Sequence, residues 1–156
     1  MKKLMTLTMM LILTLTMTAC SQNGDSGKNA DLPKTLETMK TEVGFSDIIE
    51  LDQEGLKSNY GIEGEDVKQF AALVDASGVK CEEVVLIEAK DADAAKTVKE
   101  CLDKRLESKL AQNKDYLPEQ YAIIQKCSVE QDGNYVSMIV GQEHEKMSEI
   151  YHNAFA

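Results

Sequence analysis

The chain is 156 residues long, carries a formal net charge of −10 at pH 7, and is 43% hydrophobic. That length and apolar content suffice for one domain with a single core. The acidic balance excludes nucleic-acid binding by phosphate neutralisation, since a surface of this sign repels a polyanion and no basic patch offsets it.

The first residues set an address. Lys2 and Lys3 form a short basic head, and no charged residue follows from Leu4 to Ala19. A basic head, an apolar middle and small residues at the end are the plan of a secretory signal peptide, here residues 1–19. A membrane-spanning helix needs about 20 predominantly apolar residues, and this threonine-diluted run is shorter. Met17-Thr18-Ala19 followed by Cys20 resembles the lipobox of bacterial lipoproteins, in which the chain is cut before the cysteine and the new terminus is lipidated. A thiol can carry a diacylglyceryl group, and two or three acyl chains hold a protein at a membrane far better than one. Residues 20–30 then read as the lipidated Cys20 and a polar tether with Gly24 and Gly27, a composition that behaves as flexible coil. The expected location is the extracytoplasmic side of a membrane.

Residues 31–156 read as one domain. Asp31-Leu32-Pro33 opens a helix running through Lys34 to Val43, with Leu36, Met39 and Val43 on one stripe and Gly44 to end it. Asp47 to Leu51 is a short apolar stretch, and Gln53 to Tyr60 reads as a short helix closed by Gly61. The acidic loop Gly61 to Asp66 lacks the alternating ligands of an EF-hand and reads as a solvated turn. Val67 to Val74 is a candidate strand with poor alternation that fits a helix as well; Ala76-Ser77-Gly78 then signals a turn. Glu83 to Ala89 is apolar nearly throughout and β-branched at its start, which predicts a central strand covered on both faces.

Ala92 to Asn113 is the longest helix, with Ala94, Ala95, Val98, Cys101, Leu102, Leu106 and Leu110 at spacings of three and four. Asp91 and Asp93 flank its first turn, where carboxylates cap free N–H groups rather than hold a metal. Two strands follow, Gln120 to Glu130 and Tyr135 to Val140, around Gln131-Asp132-Gly133-Asn134; Asp-Gly between apolar runs signals a hairpin in which both central residues take positive φ. Glu143 to Phe155 closes the chain as a helix bearing Met147, Ile150, Tyr151 and Phe155 on one face. The second half thus reads as two ββα units, Val67 to Leu110 and Gln120 to Phe155. The expectation is an α+β fold: a four-stranded antiparallel sheet with helices packed on one face.

Certain landmarks occur in a distinctive order. Tyr60-Gly61-Ile62 precedes Glu82-Glu83-Val84 at the head of a strand, and Asp91 precedes the long helix bearing Arg105. Tyr116-Leu117-Pro118-Glu119-Gln120 and Gly133-Asn134-Tyr135-Val136 complete the series. In these the chain resembles the domain of unknown function 4358 family, small lipoproteins of clostridia-like bacteria, over about residues 45–155. The resemblance implies secretion and a lipid anchor, and supplies no reaction.

Among residues that could carry chemistry, Glu82, Glu83, Arg105, Tyr116 and Tyr121 form the candidate polar cluster. Arg105 sits beside Leu102 and Leu106, so its stem lies near the apolar stripe, and a guanidinium at a helix–sheet seam pairs with a carboxylate in bidentate fashion. Glu83 or Glu82 is the expected partner. One reading is a structural pair fixing helix to sheet; the other is a pocket for an anion or a peptide terminus, with Tyr116 or Tyr121 as a second donor. His144 and His152 lie eight residues apart on the last helix, about 80° apart around its axis at 100° per residue, which does not suit a shared metal. Beyond Cys20 there remain Cys81, Cys101 and Cys127, an odd number that favours buried thiols over one bridge plus a free thiol. Cys101 and Cys127 occupy core-like positions, whereas a thiol nucleophile needs a converging histidine. No cofactor or metal is expected. The sequence therefore predicts a lipid-anchored, non-catalytic binding or adaptor module for an envelope protein, a peptide or a small ligand. An envelope enzyme, thiol-dependent in its simplest form, and a structural lipoprotein of envelope or spore assembly are the alternatives.

Overall fold

The computed structural model describes residues 29–156; the expected signal peptide, Cys20 and residues 21–28 of the tether lie outside the described residues. The first helix, α1 (Leu32–Val43), begins where the Asp31 carboxylate accepts from the Lys34 amide at 3.0 Å and ends where Gly44 takes φ 75°. Strand β1 (Ile48–Glu50), helix α2 (Gln53–Tyr60) and a 3₁₀ turn at Gly64–Asp66 lead into β2 (Val67–Asp75). Then come β3 (Glu83–Ala89), α3 (Ala92–Asn113), α4 (Pro118–Ile124), β4 (Val129–Asp132), β5 (Tyr135–Val140) and α5 (His144–Asn153).

The five strands form one antiparallel sheet in the order β1-β2-β3-β5-β4. Every residue of β3 is buried, because layers cover the sheet on both sides. On one face Val85, Ile87, Val136 and Met138 pack with Leu56 of α2, Leu102 of α3 and Ile124 of α4. On the other face Leu73, Val84, Leu86 and Ile139 pack with Leu36 and Met39 of α1 and Met147 and Tyr151 of α5. The fold is α+β, and it corrects the sequence expectation in two respects. Among the described residues there are five strands, not four, because the three-residue segment Ile48–Glu50 pairs along β2. Helices lie on both faces rather than one, as the apolar run Val84–Ile87 of β3, buried on both sides, requires.

The predicted strand from Gln120 to Glu130 is also corrected. Residues Pro118–Ile124 are helical, with Pro118 in the first turn, where a missing N–H costs nothing, and only Val129–Asp132 are extended. Asp132 and Tyr135 are paired across the hairpin, so its central residues are Gly133 and Asn134, one position later than Asp-Gly. Gly133 has φ 59° and Asn134 is not in the positive region, the pattern of a turn needing glycine at its first central position alone.

At the start of β2 the register shifts by one residue between Val67 and Gln69. Consecutive strand residues ordinarily point to opposite faces; the bulge lets both Lys68 and Gln69 reach Glu88, at 2.5 and 2.6 Å. Gln69 also donates to the Ala30 carbonyl at 2.8 Å and accepts from the Leu32 amide at 3.2 Å, which fastens the chain's entry to this end of the sheet. Among the described residues no helix is long and apolar enough to cross a membrane.

Met39 is fully buried where α1 meets the sheet. Met39→Ala is expected to lower stability by about 2–5 kcal/mol in urea denaturation; a loss below about 0.5 kcal/mol, the range of surface substitutions, would show that α1 does not seal this face.

Candidate functional site

Glu83 heads the central strand and, by the alternation of a strand, faces α3 together with Val85 and Ile87. Its neighbours in the same row of the sheet are Val74 and Val140. The carboxylate is 1% exposed, so its charge needs compensation within the protein. Two turns of α3 provide it. Arg105 donates from Nε to Oε1 at 2.8 Å and from Nη2 to Oε2 at 2.9 Å, a bidentate fork. Lys109, one turn later, donates from Nζ to Oε2 at 2.8 Å. Tyr60, at the end of α2, lays its ring against the guanidinium, with the Arg105 Cζ 5.9 Å from the ring centroid.

Burial alone would raise the Glu83 carboxyl's pKa, but hydrogen bonding to Arg105 and the charge of Lys109 overcome it, and the group lies below its ordinary value. Arg105 is raised, first by its bond to Glu83. The Tyr60 phenol is driven far upward by burial and then by the neighbouring Glu83 charge; its hydroxyl makes no hydrogen bond of regular geometry. The Glu83 carboxylate and the Arg105 guanidinium therefore hold each other in the ionised form.

The other candidates lie apart from this cluster. Glu82 falls on the opposite side of the strand from Glu83, lining a small recess with Phe45 and Met147, and its Oε2 is buried without a partner. Tyr116 is 85% exposed in the connection between α3 and α4. Tyr121 lies on α4 and its hydroxyl accepts from the Gln125 side chain at 3.2 Å. Neither tyrosine is a second donor beside Arg105, so the anion-pocket arrangement is not assembled. Two members went unrecognised in the sequence. Lys109 follows Leu102 and Leu106 on the buried stripe of α3, and a lysine at such a position signals an acidic partner. Tyr60 ends a short helix and carries no sequence mark of its contact with Arg105.

The three described cysteines are free thiols. Cys81 is buried, and desolvation first, with the Glu82 charge second, pushes it up to about 11. Cys127 is half-buried in the connection between α4 and β4 rather than in a strand; burial raises it too, and its Sγ approaches the Ile123 carbonyl at 3.4 Å. Asp91 caps α3 by accepting from the Ala94 amide at 2.8 Å. His152 Nε2 lies 3.2 Å from Glu130.

A family model described as "Domain of unknown function (DUF4358)" matches residues 41–141. No curated protein and no solved structure matches the chain. The chain belongs to the DUF4358 family.

The geometry makes the cluster a clamp between α3 and β3. Glu83→Gln, which leaves Arg105 and Lys109 without their anion, is expected to cost about 3–5 kcal/mol; Arg105→Met, which leaves Glu83 to Lys109 alone, should cost less, and the double exchange Glu83→Gln/Arg105→Met less than the sum of the two. Because the folded pKa of Glu83 lies below its ordinary value of 4.5, its stabilising contribution is present above pH 4.5 and is lost as pH falls through the folded value. Urea midpoints measured from pH 7 downward should thus fall more steeply in the parent than in Glu83→Gln, and parallel profiles would remove the clamp.

Proposed function

We propose that this member of the DUF4358 family is a membrane-anchored extracytoplasmic lipoprotein whose α+β domain is a binding or adaptor module without chemistry of its own. One observation carries the non-catalytic reading: the strongest polar constellation is closed upon itself. The fork of Arg105 and the ammonium of Lys109 are directed at Glu83, so a substrate carboxylate would have to displace a buried, doubly bonded one. The raised thiols of Cys81 and Cys127 favour the same reading, since the nucleophile is the thiolate, and a thiol at about pKa 11 presents almost none of it near pH 7.

Support for the anchor comes from the leader and Cys20, and from the way the domain receives the chain. Ala30 is 1% exposed and its carbonyl is held by Gln69, so the polar residues before it join a fixed point on the domain. A lipid-bearing tether attached there would hold the domain near a membrane while leaving its surface open to partners.

Cys20→Ala should move the protein from the membrane fraction to the soluble fraction of the producing cell, and retention of that variant at the membrane would overturn the anchor. In the folded protein at pH 7, a maleimide should modify Cys81 only on the timescale of unfolding and Cys127 far more slowly than a free cysteine. A native thiol that reacts as fast as free cysteine would favour the thiol-dependent enzyme instead.

A further inference from the structure

We propose that the groove between β4 and the end of α5 receives an extended, cationic segment of another protein, added as a strand along the outer edge of β4. The inference rests on the binding-module reading and names the chemistry of its partner. β4 is an outer strand of the sheet, and three of its four residues, Glu130, Gln131 and Asp132, are exposed. An edge strand presents unpaired N–H and C=O groups, and an extended peptide can pair with them.

The side chains beside this edge define what such a segment should carry. Glu130 and Asp132 stand two residues apart and so project to the same side of the sheet, across from α5. With Tyr151, His152 and Phe155 they line a groove of about 340 Å³, within the range of small-ligand sites. Its aromatic wall is ordered by edge-to-face contacts, Phe155 lying 5.2 Å from Tyr151 and 4.8 Å from Tyr135 between ring centroids. The last turn of α5 ends here, adding the negative end of a helix dipole.

Carboxylates at alternate positions, aromatic faces and a helix C-terminus all favour cations, and a chain of net charge −10 attracts them from a distance. A segment with Lys or Arg at every second residue would place its cations over Glu130 and Asp132 while its backbone extends the sheet. Glu130 already meets His152 and Asp132 has a neighbour of its own. A carboxylate accepts several hydrogen bonds, so an incoming ammonium or guanidinium adds to these contacts or replaces the weaker one.

The test uses the full-length protein in non-ionic detergent and a fluorescein-labelled peptide of three Lys-Val repeats, with three Glu-Val repeats as its counterpart. Fluorescence anisotropy should show binding of the lysine peptide alone. The exposed pair Glu130→Gln/Asp132→Asn should weaken it about tenfold or more. Asp115→Asn/Glu119→Gln, the same change of charge around the start of α4, should weaken it less than twofold. Amide hydrogen exchange across residues 129–132 should slow when the lysine peptide is present. No binding, equal loss in both double variants, or unchanged exchange along β4 would each overturn the inference. Photocrosslinking of the anchored protein in its membrane separates the two levels. A partner crosslinked through another face alone would overturn the groove and leave the binding-module reading standing, whereas no crosslinked partner from any face would overturn that reading itself.

Discussion

The buried carboxylate of Glu83 is the constraint around which the rest of this domain is arranged. A charge at 1% exposure is tolerated only with partners of fixed geometry, and Arg105 and Lys109 supply them from consecutive turns of one helix. The consequence reaches beyond one contact. Because the side-chain period of a strand is two, a slip of β3 by one residue would carry Glu83 to the opposite face, among Met39, Leu73 and Met147. Glu88, at the far end of the same strand and facing the other layer, imposes the mirror requirement through Lys68 and Gln69. A strand apolar on both sides has little to distinguish its two faces. Two carboxylates five positions apart, one for each face, give β3 a single register.

That arrangement also decides which parts of the molecule are free to act. The polar groups that first attract notice are committed to holding α3 against the sheet and the incoming chain against β2. Their ionised state is favoured by one another rather than tuned toward a working pH, the reverse of what a general acid or base requires. Cys81 and Cys127 follow the same logic, with burial driving their thiols away from the reactive form. Under the proposed binding role, recognition falls to the periphery, where backbone and side chains have not been consumed by the core.

Much of the fold is legible in the sequence, and the failures have physical causes. The runs Gln53–Tyr60, Glu83–Ala89, Ala92–Asn113 and Tyr135–Val140 can be read from period, caps and turn residues, because in each the local preference agrees with the tertiary surroundings. Helix α4 was hidden by Ile123, Ile124, Cys127 and Val129, which imitate a buried strand; Pro118 marked a helix start that the apolar run outweighed. β1 is three residues long and owes its existence to pairing with β2, which no local pattern announces. The layer on the second face was implied by the composition of β3, yet the order of elements suggested a one-sided sheet. In the polar cluster, Arg105 and Glu83 could be matched because an arginine on an apolar seam needs a carboxylate. Tyr116 and Tyr121 carry no local pattern that places them relative to Arg105. The turn after Asn113 instead sends Tyr116 into solvent, and Tyr60 arrives from a helix far earlier in the chain.

The two edges of the sheet are not equivalent, and the difference follows from the same packing. Along β1, Ile48 packs toward α1 while Glu50 is engaged by Lys40 of that helix, so this edge is tied to the layer beside it. Along β4 only Val129 turns inward, and the residues after it remain exposed beside the carbonyl end of α5. The chain enters near Gln69 and Glu88, and Glu88 pairs with Tyr135, whose other partner is Asp132. The Asp132 end of β4 therefore lies along the same row of the sheet as Gln69, which holds the Ala30 carbonyl. The proposed tether would thus join the domain on the side that carries the outer edge of β4.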